Sequence, residues 1–178
     1  SELWITRPDG QSVKLTDIMG SYTHSPAWSP DGQTLAFVAV KGRKAEIYTV
    51  GRDGSRLRAV TNDGLDKLDP IFTPAGDHLR YVQRTAEGYR VMEVARTGSP
   101  EPREVAGGRD MTGLRRAPDG RYFGQTLTDS RVVALDGAAG PEVKVGPYDT
   151  WTVGPDGVYV FVVRGATNPP SVWLYPWN

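Results

Sequence analysis

Pro26-Ala27-Trp28-Ser29-Pro30-Asp31-Gly32-Gln33-Thr34-Leu35-Ala36-Phe37-Val38 reads as two strands and the turn that joins them. A short apolar strand ends at Trp28, Pro30-Asp31-Gly32 reverses the chain, and Leu35 and Phe37 alternate with their neighbours along a return strand. Proline pre-sets φ at about −65° for the second position of a tight turn, aspartate bonds its own backbone, and glycine takes φ > 0 without a Cβ clash. The stretch predicts a β-hairpin.

The same signal returns as Phe72-Thr73-Pro74-Ala75-Gly76, as Arg116-Ala117-Pro118-Asp119-Gly120 and as Val153-Gly154-Pro155-Asp156-Gly157, with the turn prolines 44, 44 and 37 residues apart. A period of this length filled with strand signals predicts an all-β chain of β-propeller blades, about four of them, each a four-stranded antiparallel sheet. The expected spans are the end of a blade over 1–20, blades over 25–61, 69–106 and 112–145, and an incomplete blade over 150–178, all in a single propeller segment. Leu3-Trp4-Ile5-Thr6 followed by Arg7-Pro8-Asp9-Gly10 aligns with Ile47-Tyr48-Thr49-Val50 followed by Gly51-Arg52-Asp53-Gly54, so the chain opens at the third strand of a blade. Seventeen strands are expected, one more than four blades need. The chain is therefore read as part of a larger propeller; the alternative is two copies joined through their open blade edges, because an unpaired edge recruits a partner strand.

Composition narrows the function classes. Lys plus Arg and Asp plus Glu both number 21, so no net field steers the segment toward nucleic acid or an anionic membrane. There is no cysteine, which removes disulfides, thiolate catalysis and cysteine-based zinc sites. No apolar run approaches the roughly 18 residues that span a bilayer, and Ser1-Glu2-Leu3-Trp4 lacks the features of a signal peptide, so any export address is expected outside the chain.

Trp28-Ser29-Pro30-Asp31-Gly32, then Leu35-Ala36-Phe37, then Glu46-Ile47-Tyr48-Thr49-Val50 with Asp53-Gly54 and a strand from Leu57 to Thr61, resembles the PD40 or TolB-like propeller repeat. Ala75 in the second turn and Ala117, where the repeat carries serine before Pro118, depart from it. The resemblance covers nearly the whole chain and is specific for fold. It implies three kinds of parent: a periplasmic TolB-like accessory protein that binds partner proteins, the substrate-gating propeller of a prolyl oligopeptidase-type serine peptidase, or the sensory region of a CadC-like winged-helix transcriptional regulator. The wording from Tyr148 to Val160, with Leu174-Tyr175 after it, looks most like the last of these. By resemblance, a bacterial, periplasmic setting and a protein partner are expected.

Chemistry is sparse. No Gly-x-Ser-x-Gly elbow occurs, so a peptidase nucleophile would have to lie elsewhere, and the segment is read as non-enzymatic with no cofactor. His24 and His78 fall in different repeats without a second ligand at metal-binding spacing, so no metal site is expected. Asp31, Asp119 and Asp156, like Asp9 and Asp53, occupy turn positions that account for them. Trp4, Trp28, Tyr48, Phe72, Tyr81, Phe123, Trp151 and Trp173 recur on strands and are expected to pack between blades. Tyr22 and Trp177 fall outside the repeats and remain open for ligand stacking. The loops before each first strand should bring His24, Ser25, Asp69, Asp110 and Asp149 to one rim. Arg115 and Arg116 break the pattern, because their sibling strands carry Ala27-Trp28 and Ile71-Phe72. A charge there must be wet or paired. Either an arginine faces the channel mouth and holds an anion or a partner carboxylate, or it pairs with Asp69 or Asp149.

Overall fold

A computed structural model describes residues 2–17, 21–98, 101–135, 143–146, 149–154, 159–164 and 171–176. Trp177 and the turn at Pro155-Asp156-Gly157 lie outside the described residues. Among those described, all regular structure is β-strand, arranged in antiparallel sheets.

The turn that opens each return strand is built as its residues dictate. Ser29 N–H donates to Thr34 O (2.8 Å), Gly32 N–H to Ser29 O (2.8 Å), and Gly32 sits at φ 64°. The Asp31 carboxylate accepts from Ser29 Oγ (2.5 Å) and from Gln33 N–H (2.9 Å), which holds it below the ordinary carboxylate range. In the next repeat Ala75 cannot do this. Asp77 does so instead, accepting from Thr73 Oγ1 (3.0 Å), while Gly76 takes φ 75°. In the third, Ala117 has no hydroxyl, and Asp119 accepts from Arg121 N–H (3.0 Å) and Nε (2.7 Å). The turn survives both departures because the glycine N–H bond is kept in all three, although the closing bond of the third, Ala117 N–H to Arg121 O (2.9 Å), is one residue shorter.

The chain divides into two compact units, Ser1–Glu104 and Val105–Asn178. In the first, β1 (Glu2–Thr6) and β2 (Ser12–Asp17) form a two-stranded sheet, and β3 (Ser21–Trp28), β4 (Thr34–Lys41), β5 (Lys44–Gly51) and β6 (Arg58–Ala59) form a four-stranded one in chain order. β7 (Lys67–Phe72), β8 (His78–Thr85), β9 (Gly88–Ala95) and β10 (Arg103–Arg109) repeat that order, with β10 running past the division. Leu15, Leu35, Phe37, Ala39 and Val50 are buried between the first two sheets, and Ala36, Ile47, Val60, Phe72, Leu79, Tyr81 and Val94 between the second and third. β4 has buried residues on both faces, as a strand enclosed between neighbouring blades requires. Glu93, opposite Arg80, is buried on the third sheet. Burial alone would raise its carboxyl, but hydrogen bonds from Arg103 and Arg80 outweigh that and hold it below its ordinary value.

In the second unit β11 (Met111–Arg116), β12 (Tyr122–Thr126), β13 (Arg131–Ala134) and β14 (Val143–Lys144) form a four-stranded sheet, and β15 (Thr150–Val153), β16 (Tyr159–Arg164) and β17 (Ser171–Pro176) a three-stranded one. Their core joins Ala117, Phe123, Val132, Val143, Trp151, Val160 and Val162.

The aromatic expectation holds in part. Phe72, Tyr81, Phe123 and Trp151 are buried, and Tyr48 stacks on Phe37 with ring centroids 6.0 Å apart. Trp4 (52% exposed), Trp28 (46%) and Trp173 (53%) are not buried between sheets. Trp4 Nε1 instead donates to Glu2, and Trp173 Nε1 to Ser171 Oγ.

Candidate functional site

The first strands of three sheets share a defect that, in the first unit, places polar side chains. In β3 the pairing jumps from His24↔Val38 to Ala27↔Ala36, so that Ser25 and Pro26 oppose Phe37 alone. β7 does the same between Leu68↔Val82 and Ile71↔Arg80, and β11 between Thr112↔Gln125 and Arg115↔Phe123. Each is a β-bulge, and its first residue is left-handed: Ser25 at φ 52°, Asp69 at 48° and Gly113 at 64°. These positions are 44 residues apart, so the bulge recurs with the repeat in these three sheets, whereas β15 pairs with β16 without a shift. A left-handed serine or aspartate is disfavoured by about 1–2 kcal/mol relative to glycine, and such outliers concentrate where the backbone must aim a functional group.

In the first unit the bulges bring three expected residues together. His24 Nδ1 lies 3.0 Å from Ser25 Oγ, and Ser25 Oγ lies 3.4 Å from Asp69 Oδ1, a long and weak contact. These are the residue types of a hydrolytic triad, but here the hydroxyl touches the carboxylate directly, so the acid competes with the imidazole for its proton. The cluster is suited to presenting donors and acceptors on adjacent strands.

Beside it opens a cleft of about 480 Å³ at the end of the sheets marked by the β4–β5 and β8–β9 hairpins. His24, Val40, Ala45, Leu68 and Tyr89 provide its imidazole, aliphatic and phenolic walls, and Arg43, Arg84 and Asp66 its charges. Val40 and Arg84, and likewise Ala45 and Tyr89, are equivalent repeat positions on neighbouring blades. The hairpin tips line this cleft, and the 44-residue register is the sequence signal that aligns them.

The loop flooring the cleft is held from beneath. Lys67 is fully buried, donates to Leu65 O (2.8 Å) and to Asp63 Oδ1, and lies 3.6 Å from Glu46 Oε2. Glu46 in turn accepts from Thr61 Oγ1 (2.6 Å) and Gly64 N–H (2.7 Å), and Thr61 Oγ1 accepts from Ile47 N–H (2.9 Å). Burial, with Asp63 and Glu46 nearby, pushes the Tyr81 phenol far above its usual value and keeps it neutral. Arg84 N–H donates to Asp66 O (2.9 Å) and ties the loop to β8.

The remaining expected residues, Tyr22 apart, lie in the second unit. Asp110 is left-handed (φ 51°) and exposed, and its carbonyl accepts from Leu127 N–H (2.9 Å). Asp149 Oδ2 accepts from Gly146 N–H (2.8 Å). Arg115 is exposed, sits 5.6 Å from the centroid of the Trp151 ring and donates to Leu114 O (3.0 Å). Arg116 is half-buried opposite Tyr122. Trp151 Nε1 donates to Gln125 Oε1 (3.2 Å). Tyr22 stands opposite Val40 in β3. Among the described residues no three His, Asp or Glu side chains gather as a metal-holding group.

Comparison with known proteins places this architecture. TolB of Acinetobacter baumannii superposes with a TM-score of 0.74 at 19% identity, over 99% of this chain and 46% of its own, a likeness of fold. The uncharacterized peptidase YuxL of Bacillus subtilis is 34% identical over 123 residues, 65% of this chain and 19% of its own length. The Tol-Pal system protein TolB of Albidiferax ferrireducens is 31% identical over 61 residues, 34% of this chain and 14% of its own length. The chain thus spans a minor part of each of these relatives. The model of the lipoprotein LpqB β-propeller domain matches residues 5–168, nearly the whole sequence. The chain belongs to the LpqB lipoprotein β-propeller domain family.

Proposed function

We propose that this segment is a non-enzymatic recognition module that takes a partner protein at the hairpin end of its first unit. The carrying observation is the cleft of about 480 Å³ in which Arg43 and Arg84 stand over Val40, Leu68 and Tyr89, next to the bulged His24–Ser25–Asp69 cluster. Apolar walls with a few placed charges fix orientation and give specificity, which suits a peptide segment carrying an acidic side chain beside an apolar or aromatic one. The family is described from a lipoprotein, and a membrane-tethered bacterial parent exposing this face outside the cytoplasm agrees with that description. A sensory region of a transcriptional regulator would use the same face within a different parent.

The second reading, a propeller that gates a serine peptidase, is favoured by the 34% identity to YuxL over 123 residues. Titrating the chain with a library of short peptides tests the choice. Peptides pairing an acidic residue with an aromatic one should bind, and Arg43→Ala with Arg84→Ala should each weaken them by about tenfold. Binding that ignores peptide sequence and both arginines, together with labelling of the full-length parent by a serine-directed fluorophosphonate, would favour the gate.

A further inference from the structure

At the opposite end of the same sheets the repeat sets up a second, differently charged feature. Arg52 and Arg96 are 44 residues apart, each directly following the third strand of its sheet. Each backbone N–H is anchored alike, Arg52 to Gln33 O (3.0 Å) and Arg96 to Asp77 O (2.8 Å). Each lines a cleft against the preceding sheet. The cleft at Arg52, about 220 Å³, is otherwise walled by Ile5, Val13 and Trp28 with Arg7 at its side. The cleft at Arg96 is about 420 Å³ and gains two more guanidiniums, Arg56 and Arg58.

Three arginines thus converge on one concavity that no carboxylate lines. Asp31 lies near enough to interact with Arg96 and Asp53 with Arg56, but Asp31 Oδ1 is engaged by Ser29 and Gln33 and Asp53 Oδ1 by Ser55. Arg58 Nη2 donates to Arg96 O (2.6 Å), locking the start of β6 to the turn after β9. Arg56 is left-handed at φ 55°, and buried Thr49 and half-buried Thr34 supply hydroxyls. Like charges held this close repel one another, and in a chain of zero net charge their convergence is a local feature rather than part of a general basic surface.

We propose that this cleft is an oxyanion site for a soluble phosphate-bearing ligand. Guanidinium forks bind phosphate oxygens bidentately, and several forks around one centre suit a multiply charged tetrahedral group better than a lone carboxylate. The volume leaves room for an organic group attached to the phosphate.

Calorimetric titration of the whole chain with pyrophosphate, at constant ionic strength, reads this directly. Pyrophosphate should bind, with affinity falling about tenfold or more in Arg56→Ala and in Arg96→Ala, both of which remove side chains from the cleft mouth. Lys41→Ala, an exposed cation at the other end of β4, should bind as the parent does. Circular dichroism establishes that each variant is folded. No pyrophosphate binding at millimolar concentration, equal weakening by Lys41→Ala, or binding confined to vesicles of anionic phospholipid would overturn the proposal.

Discussion

Lys67→Met tests the buried ionic knot that holds the loop over 61–66. The Lys67 side chain is 0% exposed and that of Glu46 8%, so methionine replaces the aliphatic stem without opening a cavity but leaves a buried carboxylate without its cation. Removing one partner of a buried pair costs about 3–5 kcal/mol. Glu46 keeps its bonds from Thr61 and Gly64, which places the loss near the lower end, about 3 kcal/mol. Asp63, 42% exposed, adds less than about 1 kcal/mol because water replaces the lost contact. At about 2–4 °C per kcal/mol for a chain of this size, the melting temperature should fall by about 6–12 °C. Urea is the right denaturant, since guanidinium chloride would screen the interaction being measured. Glu46→Gln combined with Lys67→Met should cost less than the two single changes together, because a neutral pair leaves no stranded charge. If Lys67→Met stays within about 1 kcal/mol of the parent, or the two changes simply add, the knot is not what holds this loop.

Gly98 and Gly10 separate backbone strain from close approach. Both are left-handed, at φ 79° and 83°, but a Cβ on Gly98 would lie 2.8 Å from Val60 O, whereas Gly10 faces open space. Urea unfolding should show Gly98→Ala losing about 2–4 kcal/mol and Gly10→Ala about 1. The turn carboxylates make the chain sensitive to acid: with the pKa of Asp31, Asp77 and Asp119 depressed in the fold, their contribution is present above the ordinary value of 3.8 and is lost as pH falls through the lower folded values. Urea midpoints should therefore drop most steeply below that value, and Asp31→Asn should flatten the drop. Asp69→Gly relieves about 1–2 kcal/mol of left-handed strain and gives up the long 3.4 Å contact to Ser25. Stability should be unchanged or higher while peptide capture at the cleft weakens, and a stability loss beyond about 2 kcal/mol would show that the aspartate is structural.

How far the sequence could be read depended on whether a feature was local. The turns were legible because proline, aspartate and glycine act within five residues; the departure at Ala75 left the backbone bonds unaltered, and that at Ala117 only moved the closing bond from the fifth residue to the fourth. Lys67 and Glu46 were not legible: 21 residues separate them, and each alone looks like an ordinary surface charge. Their meaning exists only once the loop over 61–66 folds back and closes water out. Arg84 and Tyr89 were hidden differently: the 44-residue register aligns them with Val40 and Ala45, but nothing in a hairpin tip says that neighbouring tips enclose a cleft. The outward tryptophans were misread because a strand aromatic signals only that some apolar surface is near. Trp28 sits at the cleft with Ile5 and Val13 and remains nearly half exposed.

The bulges give the deeper reason why fold and site differ in legibility. A turn is specified by residues that favour it, so its signature recurs. The left-handed bulge is occupied by Ser25, Asp69 and Gly113, and only the glycine adopts that backbone without strain. At the two positions where the repeat departs from glycine, the side chains meet each other and His24 beside a cleft; at the third, glycine takes the bend, and a Cβ there would lie 3.5 Å from Trp151 Nε1, in ordinary contact. Space therefore does not force glycine at the third position, and backbone ease suffices to explain it. Serine and aspartate at the first two positions do not have that ease, so the strain they carry must be offset by what their side chains contribute. Repeat positions that resist the conformation their own architecture demands are thus the places to look for a blade's function.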